Sequence, residues 1–112
     1  MTEPLRLQGI ELRYALTSYL TVHGVCSVQE LVAGLTRFGF GFHGRPSKAV
    51  SDALRWERRL GRVYKRGRAF YGPGQIPRAT AHRIDRRVME LREQADLRRR
   101  EGAPINPLWL RD

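Results

Sequence analysis

The chain has 112 residues, of which 41% are hydrophobic and 29% are charged. That length suits one small globular domain with an appended helix, and it excludes a large barrel or a multidomain enzyme. The 21 lysine and arginine residues outnumber the 11 aspartate and glutamate residues, so the net charge is +10 and an anionic partner is expected.

Two helices are predicted in the first 39 residues. Apolar residues with a period of 3.6 predict the first over Gly9–His23, with one buried face. Ser27 and Glu30 form an S-x-x-E capping box, so the second helix is predicted to begin at Val28, and Gly39 ends it. Acidic and basic residues cancel over these 39 positions. We therefore expect a neutral scaffold in which the two helices share a core.

A glycine-rich segment follows. Residues 39–46 contain three glycines and a proline, which predict a loop longer than the tight turn of the simplest helix-turn-helix units. The segment also matches G-x-G-x-x-G, a pattern typical of dinucleotide-binding turns. Those turns follow a strand in a βαβ unit, whereas this segment follows a capped helix. We interpret it as a spacer.

The third helix is predicted from Pro46 to about Leu60 and is amphipathic. One face is apolar, and the opposite face carries most of the basic side chains. Glu57 is the exception, because it falls on the apolar face, where a carboxylate needs a hydrogen-bond partner or a path to solvent. The sequence leaves that partner open.

After Gly61 the pattern changes to β-branched and aromatic residues around a central glycine, which predicts a hairpin. Two registers are open. A two-residue turn pairs Tyr64 with Tyr71, and a three-residue turn pairs Val63 with Tyr71. In both registers the basic residues Arg66 and Arg68 lie at the tip.

A fourth helix is predicted from residue 77 or 80 to Glu101. Its apolar residues are spaced alternately by three and four, as in a coiled-coil seam. The seam can join two copies in a homodimer, or it can pack on the first helix of the same chain. Its residues are Ala81, Ile84, Val88, Leu91 and Ala95. The expected organisation is a domain over residues 9–74, a helix over 75–101 and a tail over 102–112, whose role the sequence leaves open.

Three helices followed by a basic hairpin resemble the winged-helix DNA-binding domains. The resemblance covers roughly residues 9–74 and is carried by SVQEL (27–31), SKAVSDALRW (47–56) and GRVYKRGRAFY (61–71). It implies an α+β, mostly helical fold, a winged helix-turn-helix with an extra C-terminal helix. The long glycine-rich loop and Glu57 depart from the usual pattern of such domains.

The charge distribution locates the expected interface. Residues 40–72 hold nine basic and two acidic residues, a net charge of +7. In winged-helix proteins the third helix enters the major groove and the hairpin follows the backbone or the minor groove. The expected base contacts are Lys48, Ser51, Asp52 and Arg55. The expected backbone or wing contacts are Arg45, Arg58, Arg59, Arg62, Lys65, Arg66 and Arg68.

The sequence thus predicts a small transcriptional regulator that binds double-stranded DNA sequence-specifically. We expect it to be cytoplasmic and nucleoid-associated, without a membrane segment, a cofactor or an effector domain for a small molecule. Two alternative functions would use the same surface. One is an architectural DNA-binding protein with low sequence preference, and the other is an RNA- or ribosome-associated protein. A third alternative is a protein-interaction module, in which the charge of the hairpin serves only for solubility.

No metal or catalytic site is predicted. His23 and Cys26 lack the paired spacing of structural zinc sites, and no residue is placed to act as a base for the thiol. We expect Cys26 to be a small buried core residue. Trp56, at the flank of the third helix, is expected to pack on a neighbouring side chain rather than stack on a base.

Overall fold

The computed structural model describes residues 3–102. Within them, four helices and five short strands make an α+β, mostly helical fold. The order is β1 (Leu5–Leu7), α1 (Gly9–His23), β2 (Cys26–Ser27), α2 (Val28–Arg37), β3 (Phe40–Phe42), α3 (Pro46–Arg59), β4 (Val63–Lys65), β5 (Phe70–Pro73) and α4 (Arg78–Gly102). The tail beyond residue 102 lies outside the described residues.

The predicted capping box fixes the start of α2. The Ser27 hydroxyl accepts from the Glu30 amide at 3.0 Å, and the Glu30 carboxylate accepts from the Ser27 amide at 2.8 Å. Two amides that no helical carbonyl can reach are thereby satisfied. The predicted start of α2 at Val28 is confirmed, as are the bounds of α1.

The core forms around α1, which packs on both α3 and α4. Leu16 and Leu20 of α1 meet Leu31 of α2 and Leu54 of α3, and none of the four is exposed. Cys26 is buried at the edge of this core, as predicted. Burial, together with the nearby Glu30 carboxylate, raises the pKa of its thiol.

Helices α1 and α2 are in close contact at Gly34. A Cβ atom there would lie 2.3 Å from the Cζ atom of Tyr19. The Tyr19 ring cannot retreat easily, because it stacks on His23 at 4.0 Å between centroids and its hydroxyl accepts from Arg37 at 3.1 Å. The small residue is therefore a packing requirement.

We expect Gly34→Ala to lower the free energy of unfolding by about 1 to 2 kcal/mol, because overpacking outweighs the better helix propensity of alanine. Urea unfolding measures the change. Gln29→Ala, at an exposed position of the same helix, serves as the control and is expected to change stability by no more than about 0.5 kcal/mol. A Gly34→Ala protein as stable as the wild type would contradict this account of the contact.

The predicted loop over 39–46 contains strand β3, so that prediction is wrong for Phe40–Phe42. β3 pairs in parallel with β1, Leu5 opposite Phe40 and Leu7 opposite Phe42. Leu7 and Phe40 are almost completely buried, which explains why a short strand persists in a glycine-rich segment. The spacer thus ties the N-terminal residues to the start of α3.

The second sheet contains the predicted hairpin. Its order is β2-β5-β4, all antiparallel, with Lys65 opposite Tyr71 and Tyr64 opposite Gly72. Neither predicted register is therefore correct. The turn occupies residues 67–69, with the Arg66 amide donating to the Phe70 carbonyl at 2.8 Å and Ala69 at φ 62°. The sequence does not indicate this turn, because its left-handed position, residue 69, is alanine rather than glycine.

Helix α4 lies on α1, and its apolar seam is occupied within the chain. Ile84 and Leu91 are each 1% exposed, and Arg87 forms an ion pair with Glu11 of α1. The seam prediction is therefore wrong as an interface between copies, because burying these side chains against α1 leaves no free stripe. The residues concerned are Ala81, Ile84, Val88, Leu91 and Ala95, of which Ala81 is half-buried and the others buried. The homodimer stays a prediction and requires another surface.

None of the helices in residues 3–102 combines the length and apolar character that crossing a bilayer requires.

Candidate nucleic-acid interface

The exposed side of α3 brings the expected base contacts together. The Lys48 ammonium donates to the Asp52 carboxylate at 2.8 Å, and a guanidinium nitrogen of Arg55 lies 3.9 Å from the other carboxylate oxygen. The side chains of Lys48 and Arg55 are 67% and 68% exposed, so both reach solvent. With Ser51 and Arg58, these three residues define what we call the α3 face.

Asp52 lies between the two cations of this face. The hydrogen bond from Lys48 lowers the pKa of the Asp52 carboxyl, with smaller contributions from the charges of Lys48 and Arg55. The carboxylate therefore stays ionised and orients both cations, and as an acceptor it can also receive a hydrogen bond from a cytosine amine. Positive and negative groups alternate over about two turns of the helix, which suits recognition of base edges better than a uniform charge.

Trp56 lies beside the α3 face and is 53% exposed. The guanidinium groups of Arg59 and Arg13 lie 5.2 and 5.5 Å from its ring centroid. The expected packing of Trp56 on neighbouring side chains is confirmed by these two contacts. They hold Arg59 along the helix surface, near the end of α3.

Beneath the α3 face, the buried carboxylate of Glu57 has its partners. It accepts from the Thr17 hydroxyl at 2.6 Å, from Nε of Arg13 at 3.1 Å, and from Nε and Nη2 of Arg62 at 2.9 and 3.0 Å. Burial alone raises the pKa of Glu57, but the hydrogen bonds from Arg62, Thr17 and Arg13 outweigh it, so the net pKa is lowered. The carboxylate stays charged and joins α1, α3 and the start of the hairpin.

Sequence reasoning missed Arg13 and Thr17 as partners of Glu57. A signal was present, since the two residues stand four apart on α1 and so share a face with each other, beside its apolar stripe. What the sequence did not provide was the relative rotation of α1 and α3.

Arg62 was expected to contact the DNA backbone, and the structure gives its guanidinium a different environment. Its side chain is only 13% exposed, it donates two hydrogen bonds to Glu57, and its guanidinium lies 5.8 Å from the Tyr14 ring centroid. Contact with a phosphate would require breaking this buried ion pair. We therefore assign Arg62 a structural role and remove it from the expected contacts.

Backbone contacts fix the hairpin relative to α2 and α3. The Val28 amide donates to the Ala69 carbonyl at 3.0 Å, and the Gly74 amide donates to the Arg62 carbonyl at 2.9 Å. Ser47 and Ser51 of α3 border one groove together with Ala69 and Phe70 of the hairpin. The α3 face and the hairpin tip thus flank a common groove.

The hairpin carries the other expected contacts. Lys65, Arg66 and Arg68 are exposed, and the guanidinium of Arg66 lies 5.5 Å from the centroid of the Tyr64 ring. Of these three residues only Arg68 lies in the turn, since Arg66 ends the pairing with Phe70. Arg68 is therefore the cation that projects from the tip.

Both this region and α4 contain paired and unpaired arginines. In α4, Arg87 pairs with Glu11, Arg92 lies 4.1 Å from the Phe38 ring centroid, and Arg99 donates to the Arg37 carbonyl. The exposed side chains of Arg45, Arg58 and Arg68 form no ion pair or hydrogen bond with another residue in 3–102, and neither do those of Arg78, Arg83 and Arg86 in α4. Their charges are left for a partner or for solvent.

Comparison with models of protein families, with curated protein sequences and with solved structures finds no match to this chain. Among residues 3–102, no group of three or more histidine, cysteine, aspartate or glutamate side chains could hold a metal ion.

Proposed function

We propose that this chain binds double-stranded DNA with the α3 face in the major groove and the hairpin along the backbone or minor groove, as a small transcriptional regulator. The observation that supports the proposal most strongly is the concentration of exposed cations on α3 and the hairpin, two elements that border one groove, among them the unpaired Arg45, Arg58 and Arg68. Uncompensated charges that repel one another weaken a fold, and a polyanion relieves that repulsion.

The proposed roles divide by position. Lys48, Ser51, Asp52 and Arg55 read base edges from the exposed side of α3, and a guanidinium such as that of Arg55 can donate two hydrogen bonds to guanine O6 and N7. Arg45, Arg58, Arg59, Lys65, Arg66 and Arg68 bind phosphates or enter the minor groove. The order of helices and the three-stranded β2-β5-β4 sheet support a winged helix-turn-helix arrangement for these roles.

Selection from a pool of randomised duplexes tests the proposal. We expect one short motif to be enriched, and the bound duplexes to outcompete duplex RNA of the same length. Uniform recovery of all sequences supports an architectural protein instead, and preference for the RNA supports an RNA-associated protein. Absence of binding to any duplex at low salt would contradict DNA binding itself.

Arg55→Ala is expected to remove about 1 to 3 kcal/mol of discrimination between the selected motif and its best single-base variant. Arg58→Ala is the control, since loss of a phosphate contact weakens binding to both duplexes equally. Fluorescence anisotropy titrations with the two duplexes measure both effects. Equal weakening by Arg55→Ala on the motif and on random duplex would contradict its role as a base contact.

A further inference from the structure

The two faces of the hairpin differ in what they bury. Val63 is fully buried and Tyr71 packs against the core, so the residues that alternate with them point away from it. The outward residues are those of the Tyr64–Gly72 pair and of the Arg66–Phe70 pair that closes the turn. We call Tyr64, Arg66, Phe70 and Gly72 the outer hairpin face.

Two aromatic rings of this face remain in solvent. Tyr64 is 42% exposed and Phe70 is 44% exposed. Val25, beside them, is 53% exposed. The fold gains little from burying these side chains, so the apolar area of the face is available for binding.

A glycine keeps this face flat. A Cβ atom on Gly72 would lie 3.1 Å from Cγ of Arg66 and 3.1 Å from Cγ2 of Val25. Because Gly72 has no Cβ atom, the Arg66 side chain can lie across the strand, with its guanidinium 5.5 Å from the centroid of the Tyr64 ring. Exposed rings beside a guanidinium are the combination on which bases of single-stranded nucleic acids stack.

The segment of the chain that contains the hairpin is strongly basic. Residues 58–84 contain eight lysine and arginine residues and no aspartate or glutamate. A partner for this surface therefore needs flat apolar groups connected by negative charges. Unpaired nucleotides have both, because each base offers an apolar face and each linkage a phosphate.

We infer that the outer hairpin face stacks unpaired bases of single-stranded DNA. The choice of DNA rests on the proposed function, and the inference extends it, because a protein bound to a duplex would also hold a single strand that continues from the duplex end. Tyr64 and Phe70 provide the stacking surfaces, and Arg66 the cation next to them.

Three DNAs that share one duplex test this inference. The first is blunt, the second carries an overhang of about eight thymidines, and the third carries an abasic overhang of equal length, which keeps the phosphates and removes the bases. We expect the thymidine overhang to bind about tenfold more tightly than the abasic overhang. The double variant Tyr64→Leu/Phe70→Leu is expected to lose this gain, so that it binds the thymidine and abasic overhangs equally, whatever its affinity for the blunt duplex.

Met89→Ala/Leu97→Ala, which alters two exposed apolar side chains of α4, is the matched control and is expected to keep the gain. Circular dichroism and thermal unfolding verify that both variants fold. Equal binding of the thymidine and abasic overhangs, or a gain that survives in Tyr64→Leu/Phe70→Leu, would overturn the inference. If the protein does not bind the blunt duplex but still binds the thymidine overhang more tightly than the abasic overhang, only the proposed duplex binding is overturned.

Discussion

Replacing Glu57 with alanine is expected to lower the free energy of unfolding by about 3 kcal/mol, the largest effect on stability that we expect from a single substitution. The carboxylate is completely buried and accepts four hydrogen bonds from Thr17, Arg13 and Arg62. Without it, two guanidinium groups that are 21% and 13% exposed lose their counter-ion. Urea unfolding at neutral pH measures the loss.

Glu93→Ala removes an exposed carboxylate of α4 and serves as the control, with an expected change within about 0.5 kcal/mol. If Glu57→Ala is too unstable to purify, Glu57→Gln keeps the shape of the side chain and removes its charge. A stability equal to that of the wild type in either Glu57 variant would contradict the structural role of this cluster.

The same carboxylate predicts a pH dependence. Because the pKa of Glu57 is lowered in the folded state, its contribution is complete above the unfolded glutamate value of about 4.3 and is lost as pH falls through the folded value. The stability difference between wild type and Glu57→Gln is therefore expected to be largest above about pH 5 and to shrink in acid. A difference that is constant from neutral to acidic pH would contradict this assignment.

The largest expected effect on binding comes from removing three arginines together. Arg45→Ala/Arg58→Ala/Arg68→Ala is expected to weaken duplex binding by about 10² to 10³-fold at about 0.1 M salt, because each lost phosphate contact forfeits the release of about 0.9 counterion. The slope of log K against log salt should fall by about 2.7 for the three contacts. Titrations over a range of salt concentrations measure both quantities.

Arg78→Ala/Arg83→Ala/Arg86→Ala is the matched control. It removes the same net charge from exposed positions of α4, which packs on α1. Charges outside the contact surface are screened within about 10 Å at this salt, so the expected loss is less than about fivefold and the slope is expected to stay unchanged. Equal losses in the two variants would indicate that total charge, rather than its position, determines binding.

Local sequence signals were sufficient for the helices. The start of α2 followed from Ser27 and Glu30 because a capping box is formed within four residues. The bounds of α1 and the amphipathic character of α3 followed from the spacing of apolar side chains, which each helix displays on its own. These predictions needed no knowledge of how the helices pack.

Contacts between distant residues could not be read in the same way. Strand β1 is three residues long and pairs with residues 40–42, so neither partner shows an alternation long enough to identify a strand. The seam of α4 has a spacing that fits a second copy and α1 equally well. Only the tertiary arrangement decides between those partners.

In the candidate site, too, the local pattern was predicted from the sequence, whereas the contacts made by the folded chain were not. The amphipathic pattern placed Lys48, Asp52 and Arg55 together on the exposed side of α3, and the structure has them in one network. Arg62 was assigned to DNA by charge alone, whereas its partner Glu57 lies five residues away in the buried cluster. The sequence already marked Glu57 as needing a partner, so an unexplained buried acid was the signal for reassigning Arg62.

Whether the α3 face and the hairpin together bind duplex DNA is measured by a titration with duplex, followed through the backbone amide resonances in ¹H–¹⁵N spectra. We expect added duplex to shift the resonances of residues 45–59 and 64–70 with the same dependence on duplex concentration, and to leave those of residues 80–95 in place. Shifts centred on α4, shifts in only one of the two segments, or unchanged spectra at low salt would contradict it.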